Sequence, residues 1–161
     1  MIGISKEKPF VSIIIVNYNG KRFLKDCFSS LLDCTYFPNF EIIFVDNASS
    51  DESINLAKSF AEKGNITIIE NAENLGFGPA NNVGFEKAIG EYVVFLNNDT
   101  IVEPEWLDVL ISAIEKDETV GLASPIVLNL DGRTIQSAGI LKCGFFAPSI
   151  WFRIGRKFTE E

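Results

Sequence analysis

Histidine is absent from this 161-residue sequence. That omission removes Ser-His-Asp and Cys-His catalysis, His-based zinc sites and histidine general bases in one step. Any chemistry must rest on carboxylates, amides, hydroxyls and backbone groups, with or without a metal. Cysteine is scarce: Cys27, Cys34 and Cys143 form no CxxC pair, and their odd number argues against a disulfide framework. Cys27 and Cys34 fall on one expected helix face, so reduced, core-filling thiols in an intracellular compartment are expected. Basic residues are outnumbered, 14 against 22 acidic ones, giving a net charge of −8 and a pI near 4.6. A nucleic-acid binder should be basic, so no nucleic-acid partner is expected. The start MIGISKEKPF has no signal-peptide core, and no apolar run reaches the ~18–20 residues that cross a bilayer. A cytoplasmic protein, or one peripheral to the cytoplasmic membrane face, is the expectation.

What is present is a globular balance, 47% apolar and 22% charged, in a length that buries a core without staples. FVSIIIVNYNG reads as a continuous β-branched strand ending at Asn17-Tyr18-Asn19-Gly20. KRFLKDCFSSLLDC then places Phe23, Leu24, Cys27, Phe28, Leu31 and Leu32 on one helical face. FEIIFVDN is a second strand. ASSDESINLAKSFAEKG is a helix, with Ser49 and Glu52 at capping-box spacing and Gly64 as its stop. ITIIE is a third strand, NAENLGFG a loop, and PANNVGFEKAIG a helix with Pro79 in its first turn and Gly90 after it. YVVFL is a fourth strand. Pro104 opens a helix with Trp106, Leu107, Leu110, Ile111 and Ile114 on one face; VGLASPIVLN is a fifth strand and Asp131-Gly132 a hairpin turn. Alternating strands and helices predict an α/β fold with a mostly parallel open sheet flanked by helices.

Four successive strands end in polar clusters: Asn17-Tyr18-Asn19, Asp46-Asn47, Glu70-Asn71 running into Asn74-Leu75-Gly76, and Asn97-Asn98-Asp99. Each alone reads first as a turn. Together they mark one edge, where an open α/β sheet binds ligands. The other edge carries Gly64-Asn65 and Gly90-Glu91, which read as ordinary stops. LGFGPANN offers Gly76 and Gly78 for close backbone approach before a helix N-terminus suited to phosphate, with a flexible loop before a helix as the equal alternative. It is no dinucleotide fingerprint, which would need glycine at Asn81, and no GK[ST] follows. Asp99, beside Thr100 and two amides, is an all-oxygen setting suited to Mg²⁺ or Mn²⁺, with a capping Asp as the even alternative.

In order along the chain, VSIIIVNYNG, FEIIFVDNASSD, NLGFGPANNVGF and YVVFLNNDT resemble a family-2 glycosyltransferase with the GT-A fold, over about Val11 to Gly139. The third and fourth motifs, with GRTIQSAG, resemble the rhamnosyltransferase-like branch. The resemblance implies an inverting, metal-assisted transfer from a nucleoside-diphosphate sugar, dTDP-rhamnose or a UDP-sugar, to a glycan or lipid-linked acceptor, as in cell-wall or polysaccharide biosynthesis. It implies that Val16, Asn17 and Tyr18 line the base and that Asp46 contacts it. Asn74, Gly76 and Asn81 would lie along the sugar and pyrophosphate, with Asn97 and Asn98 also on the donor. Asp99 would hold the Mn²⁺ or Mg²⁺. NND stands where the family has DXD, with Asn97 replacing the first Asp.

The base expected of an inverting transferase belongs to a later acidic motif, and the chain ends at Glu161 before one appears, so no catalytic base is assigned. The expected organisation is a lead-in over 1–10, a nucleotide-sugar-binding domain over 11–139, and an aromatic, basic segment over 140–161 that starts a missing acceptor half. Phe145, Phe146, Trp151, Phe152 and Phe158 in that segment read as packed aromatics, with an interfacial membrane patch as the lesser alternative. A non-catalytic sugar-nucleotide-binding module and a sugar nucleotidyltransferase are the alternative functions.

Overall fold

The computed structural model describes residues 10–35 and 37–138. Cys143 and the aromatic segment over 140–161 lie outside the described residues. The chain divides into two compact units, Met1–Trp106 and Leu107–Glu161.

The first unit holds four strands, β1 (Val11–Asn17), β2 (Phe40–Asp46), β3 (Ile66–Glu70) and β4 (Tyr92–Asn97), separated by helices α1 (Lys21–Cys34), α2 (Ser53–Ala61) and α3 (Phe77–Phe85). All pairings are parallel, in the order β3-β2-β1-β4. β1 and β2 are the inner strands, which explains their unbroken apolar runs: a strand covered on both faces has no polar side. Alternate residues serve opposite faces. Ile14, Val16, Ile43 and Val45 pack with Ala80 of α3. On the opposite face the Phe28 ring of α1 lies 5.4 Å from Phe44 and 5.2 Å from Phe60 of α2. The α1 face follows the helical spacing, with Leu24, Cys27, Phe28 and Leu31 buried. Burial pushes the Cys27 thiol up to about 12, and the negative charge of Asp99 adds to the effect; this is a core-filling, unreactive thiol.

The strand order runs outward from β1 to β2 to β3 and then returns, so its direction reverses between β1 and β4. That reversal opens a crevice outside the carboxyl ends of the strands. All four polar clusters lie on this one edge because the strands are parallel and in register: Asn17 pairs with Asp46, Asp46 with Glu70, and Val16 with Asn97.

In the second unit, β5 (Val127–Leu128) and β6 (Ile135–Ser137) form an antiparallel hairpin. The expected fifth strand over VGLASPIVLN is therefore two residues long and pairs with β6 rather than joining the parallel sheet. The Asp131-Gly132 turn forms as expected, with Gly132 at φ 65° and Asn129 N donating to Thr134 O at 2.8 Å. The Thr134 hydroxyl, with two backbone N–H bonds, holds the Asp131 carboxyl down at about 2. Helix α4 (Trp106–Glu115) buries Leu107 and Ile111, as its spacing predicts.

Gly90 differs from its expected role. It is a close-packing position rather than a simple stop: a Cβ there would lie 2.5 Å from Ser12 N and 2.8 Å from both Ser12 Oγ and Tyr92 O. Its own N–H donates to Ser12 Oγ at 2.9 Å. Gly90→Ala should therefore cost about 1–3 kcal/mol through overpacking against backbone, measured by urea unfolding. Gly78→Ala, with nothing within 4 Å of the added carbon, should be neutral or stabilising by up to about 1 kcal/mol.

Candidate functional site

The loops after β1 and β2 are zipped together at the crevice by contacts about thirty residues apart in sequence. Asn47 N donates to Asn17 O at 2.8 Å, extending the β1–β2 ladder by one step. Asn17, fully buried, donates from Nδ2 to Asp46 Oδ1 and to Ser49 Oγ, both at 3.0 Å. Asp46, only 2% exposed, accepts Ser49 N at 2.8 Å on its other oxygen. Beyond them, Asn19 N donates to Ser49 Oγ and Ser50 N to Asn19 Oδ1.

These bonds overturn the expected Ser49–Glu52 capping box. Ser49 is engaged by Asn17 and Asn19, while Glu52 pairs with Lys21 and takes a left-handed φ of 63° at the N-cap without a side-chain cap bond. Asp51 does the capping for both helices. It accepts Lys21 N, the first residue of α1, at 2.9 Å and Ser53 N, the first of α2, at 3.1 Å, together with the Ser53 hydroxyl.

Asn47, 2% exposed, organises the loop after β3. Its Nδ2 donates to Asn74 Oδ1 at 2.7 Å; its Oδ1 accepts Leu75 N at 3.0 Å and Asn71 Nδ2 at 3.1 Å. The loop ends at Gly76, whose φ 83°, ψ 168° is a conformation almost confined to glycine. Helix α3 starts at Phe77, two residues before Pro79, so Pro79 sits inside the first turn. Asn81 is buried in α3 and donates to Phe77 O at 2.9 Å.

On the β4 side, Thr100 N donates to Asn97 O at 3.2 Å and closes a turn through Asn98 and Asp99. Asn98 Nδ2 donates to Asn17 Oδ1 at 2.7 Å. Asp99 is exposed. The turn and the crevice edge are thus the same feature.

A crevice of ≈ 410 Å³ is lined by Val16, Tyr18, Asn47, Asn74, Gly76, Phe77, Asn97, Asn98 and Asp99, a size that suits a small ligand. Seven of the ten expected site residues line it. Asn17, Asp46 and Asn81 are buried and do not; Asn17 and Asp46 act through the network behind its wall. Asn47 and Phe77 were not anticipated. Asn47 was visible only as half of a polar strand end, and Phe77 was hidden in what read as a glycine loop. Tyr18 and Phe77 are 53% and 60% exposed, much as Phe85 and Phe95 are at 55%, but these two line the crevice. A neighbouring depression of ≈ 500 Å³ near Lys21, Arg22 and Lys25 is less suitable. There Lys21 is paired with Glu52, and Arg22 stacks 4.4 Å over the Phe23 ring.

Among the described residues no three His, Cys, Asp or Glu side chains gather to form a metal cage. The donor set at Asp99 is one exposed carboxylate flanked by two amides. Such a set could hold a hard divalent cation only with most of its ligands supplied from outside the chain. No described helix is long and apolar enough to cross a membrane.

A model of the family described as Glycosyl transferase family 2 matches residues 12–159. An uncharacterized glycosyltransferase of Haemophilus influenzae is 30% identical over 145 residues, 89% of this chain and 43% of that protein. The O-antigen biosynthesis protein RfbC of Myxococcus xanthus is 32% identical over 147 residues, 89% of this chain and 11% of its own length. The chain thus spans less than half the length of these relatives. Among solved structures, a mannosyltransferase from Pyrobaculum calidifontis in complex with GDP-Man and Mn²⁺ matches at a TM-score of 0.67 and 26% identity, covering 71% of this chain and 34% of that one. TarS of Staphylococcus aureus, residues 1–349, matches at 0.63 and 25% identity, covering 72% and 38%. The α/β sheet with its flanking helices is the GT-A fold.

Two outcomes are expected from the loop network. Asn47→Ala should speed hydrogen exchange at the Leu75 amide and cost about 1–3 kcal/mol, because several part-buried hydrogen bonds to the loop after β3 are lost together. Asp51→Ala should cost about 1 kcal/mol at pH 7 by uncapping two helices. Slight burial raises the Asp51 carboxyl, but the bonds from Ser53 and Lys21 N outweigh it and hold the group below its ordinary 3.8. Its contribution is therefore complete above that value and lost as pH falls through the lower folded one. The gap between wild type and Asp51→Ala should hold from pH 7 down to about the ordinary 3.8 and narrow as pH falls below it, read by urea unfolding across that range.

Proposed function

We propose that this chain, which belongs to glycosyl transferase family 2, binds a nucleoside-diphosphate sugar and forms the donor side of a transferase that glycosylates a glycan or lipid-linked acceptor. The observation that carries the proposal is the placing of exposed aromatics, a glycine-rich helix start and one exposed carboxylate around a single crevice at the reversal of strand order.

In this reading the nucleobase lies against Tyr18 and Val16, with Phe77 closing the opposite side. Asp46, held in place by Asn17 and Ser49 N, serves the base from behind the crevice wall. Asn74 and Gly76, aligned by Asn47, border the sugar and the pyrophosphate. The amino end of α3 turns its free N–H groups and partial positive charge toward the phosphates; Asn81 stabilises that first turn from within the helix. Asn97 and Asn98 flank the diphosphate, and Asp99 holds Mn²⁺ or Mg²⁺. The cation would neutralise the charge that develops on the departing nucleoside diphosphate. Transfer is inverting, by direct attack of an acceptor hydroxyl on the anomeric carbon, and the base that takes its proton is not assigned to any described residue.

The Mn²⁺ and GDP-Man in the mannosyltransferase structure support a cation and a nucleotide sugar in a fold of this kind. The RfbC relative, an O-antigen biosynthesis protein, supports a role in polysaccharide biosynthesis.

Calorimetric titration of UDP, dTDP and GDP, each with and without Mn²⁺, tests the site. One nucleotide should bind with metal-dependent affinity, and Asp99→Asn should weaken that binding about 10-fold or more. If no nucleotide binds, or Asp99→Asn binds as wild type does, the assignment is wrong. Product formation from a labelled donor then separates a transferase from a binding module.

A further inference from the structure

Asn98 stands between the two ends of the NND triplet, and the reading above gives its side chain no role beyond flanking the diphosphate. Here it is half-buried and bonded across the reversal point to Asn17 at 2.7 Å. The direction of that bond is fixed by charge. The Asp46 carboxylate only accepts, so Asn17 must turn Nδ2 toward it and toward Ser49 Oγ. The Asn17 oxygen is then left facing Asn98, which must donate. Gly20 completes the arrangement. At φ −104° it needs no glycine for its backbone, yet a Cβ there would overlap Asn98 Nδ2 and lie 2.5 Å from Asn17 Oδ1. Glycine at 20 is needed for space.

The two sides of the crevice differ in how they are held. On the β2 side, backbone and side-chain bonds join residues 17–21 to 46–51. On the β4 side the registered ladder stops at Val16 and Asn97, and the Asn98–Asn17 bond is the next tie. We propose that Asn98, oriented by Asp46 through Asn17 and admitted by Gly20, is a positioning residue that sets where Asp99 presents its carboxylate. The proposal rests on reading Asp99 as the cation ligand.

The test uses the full 161-residue chain with Asn98→Asp and Gly20→Ala. Asn98→Asp is informative because two simple expectations have opposite signs. An added carboxylate should strengthen a site limited by ligand charge. Under the proposal it cannot donate to Asn17, so the tie breaks and the cation contribution falls. Two readouts are taken: exchange of the Thr100 amide in the ligand-free chain, and the ratio of nucleotide affinities with and without Mn²⁺ for UDP, dTDP and GDP. Both variants should exchange Thr100 about 10-fold faster and lower the Mn²⁺ ratio about 10-fold. Unchanged Thr100 exchange overturns the tie whatever the nucleotides do. Faster exchange with an equal or larger Mn²⁺ ratio overturns the positioning role while the cation site stands. A wild type with no Mn²⁺ dependence overturns the cation reading, and positioning toward a cation with it, while exchange still decides whether Asn98 holds the turn. Should Asn98→Asp fail to fold by circular dichroism, Gly20→Ala breaks the same bond from the other side.

Discussion

The bond from Asn17 to Asp46 is the constraint around which the crevice is organised. A carboxylate 2% exposed would be costly without partners, because desolvation penalises its charge. Asn17 and the Ser49 amide supply those partners, and in doing so they fix the loops after β1 and β2 against one another. The orientation forced on Asn17 passes on to Asn98, and the same strand end directs Asn47 to the loop after β3. Among the described residues no buried side-chain nitrogen or oxygen lacks a partner. A polar network satisfied to that degree is rigid in a low-dielectric setting. The groups that face the crevice therefore need little reorganisation when a charged ligand enters.

Part of that rigidity is held against backbone preference. Asn19, Ala48 and Glu52 all have left-handed φ values, 51°, 64° and 63°. Asparagine tolerates this region, but alanine and glutamate give up roughly 1–2 kcal/mol there. The reason they remain is visible on either side of Ala48. Asn47 is bonded to Asn17 and to the loop at 71–76, and Ser49 to Asp46 and Asn17, so the single residue between them has no freedom to relax. Strain of this kind collects where surrounding contacts over-determine the backbone, and binding sites are such places.

The sequence revealed features governed by short periods. Continuous β-branched runs located β1 and β2, helical spacing located the buried faces of α1 and α4, and polar strand ends marked a shared edge once the alternation of strands and helices implied parallel pairing. It failed where the deciding partner lay far along the chain. Ser49 and Glu52 had the right spacing for a capping box, but Asn17, Asn19 and Lys21, some thirty residues earlier, held them first. Gly90 looked like a stop signal because nothing nearby announces that Ser12 will lie against it. Asn47 could be seen as polar and terminal, yet its four-bond role depends on a loop that begins after β3. VGLASPIVLN has strand composition, but only Val127 and Leu128 of it form a strand. Local spacing specifies elements; the register between them specifies who bonds to whom.

The two edges of the sheet show how much that register decides. On each edge a carboxylate on β2 stands opposite a polar residue on β1: Glu41 opposite Ser12 at the amino end, Asp46 opposite Asn17 at the carboxyl end. Between the two pairs lie only apolar residues, so both carboxylates are forced to the rim. At the amino end Ser12 donates to Glu41 at 2.7 Å, and the tight turn after α3 brings the Ile89 and Gly90 amides down on Glu41 and Ser12. Glycine at 90 allows this approach, and the edge is sealed by backbone. At the carboxyl end the loops meet the buried acid from the sides instead. They satisfy it while leaving Tyr18, Phe77 and Asp99 exposed above it. Both edges carry the same acid–polar pair, so the pair alone does not make a site. What distinguishes them is the geometry of the covering segments: the turn at Gly90 lies down on one pair, and the loops after β1, β2 and β3, stapled to each other by Asn17, Asn47 and Ser49, leave the crevice open above the other.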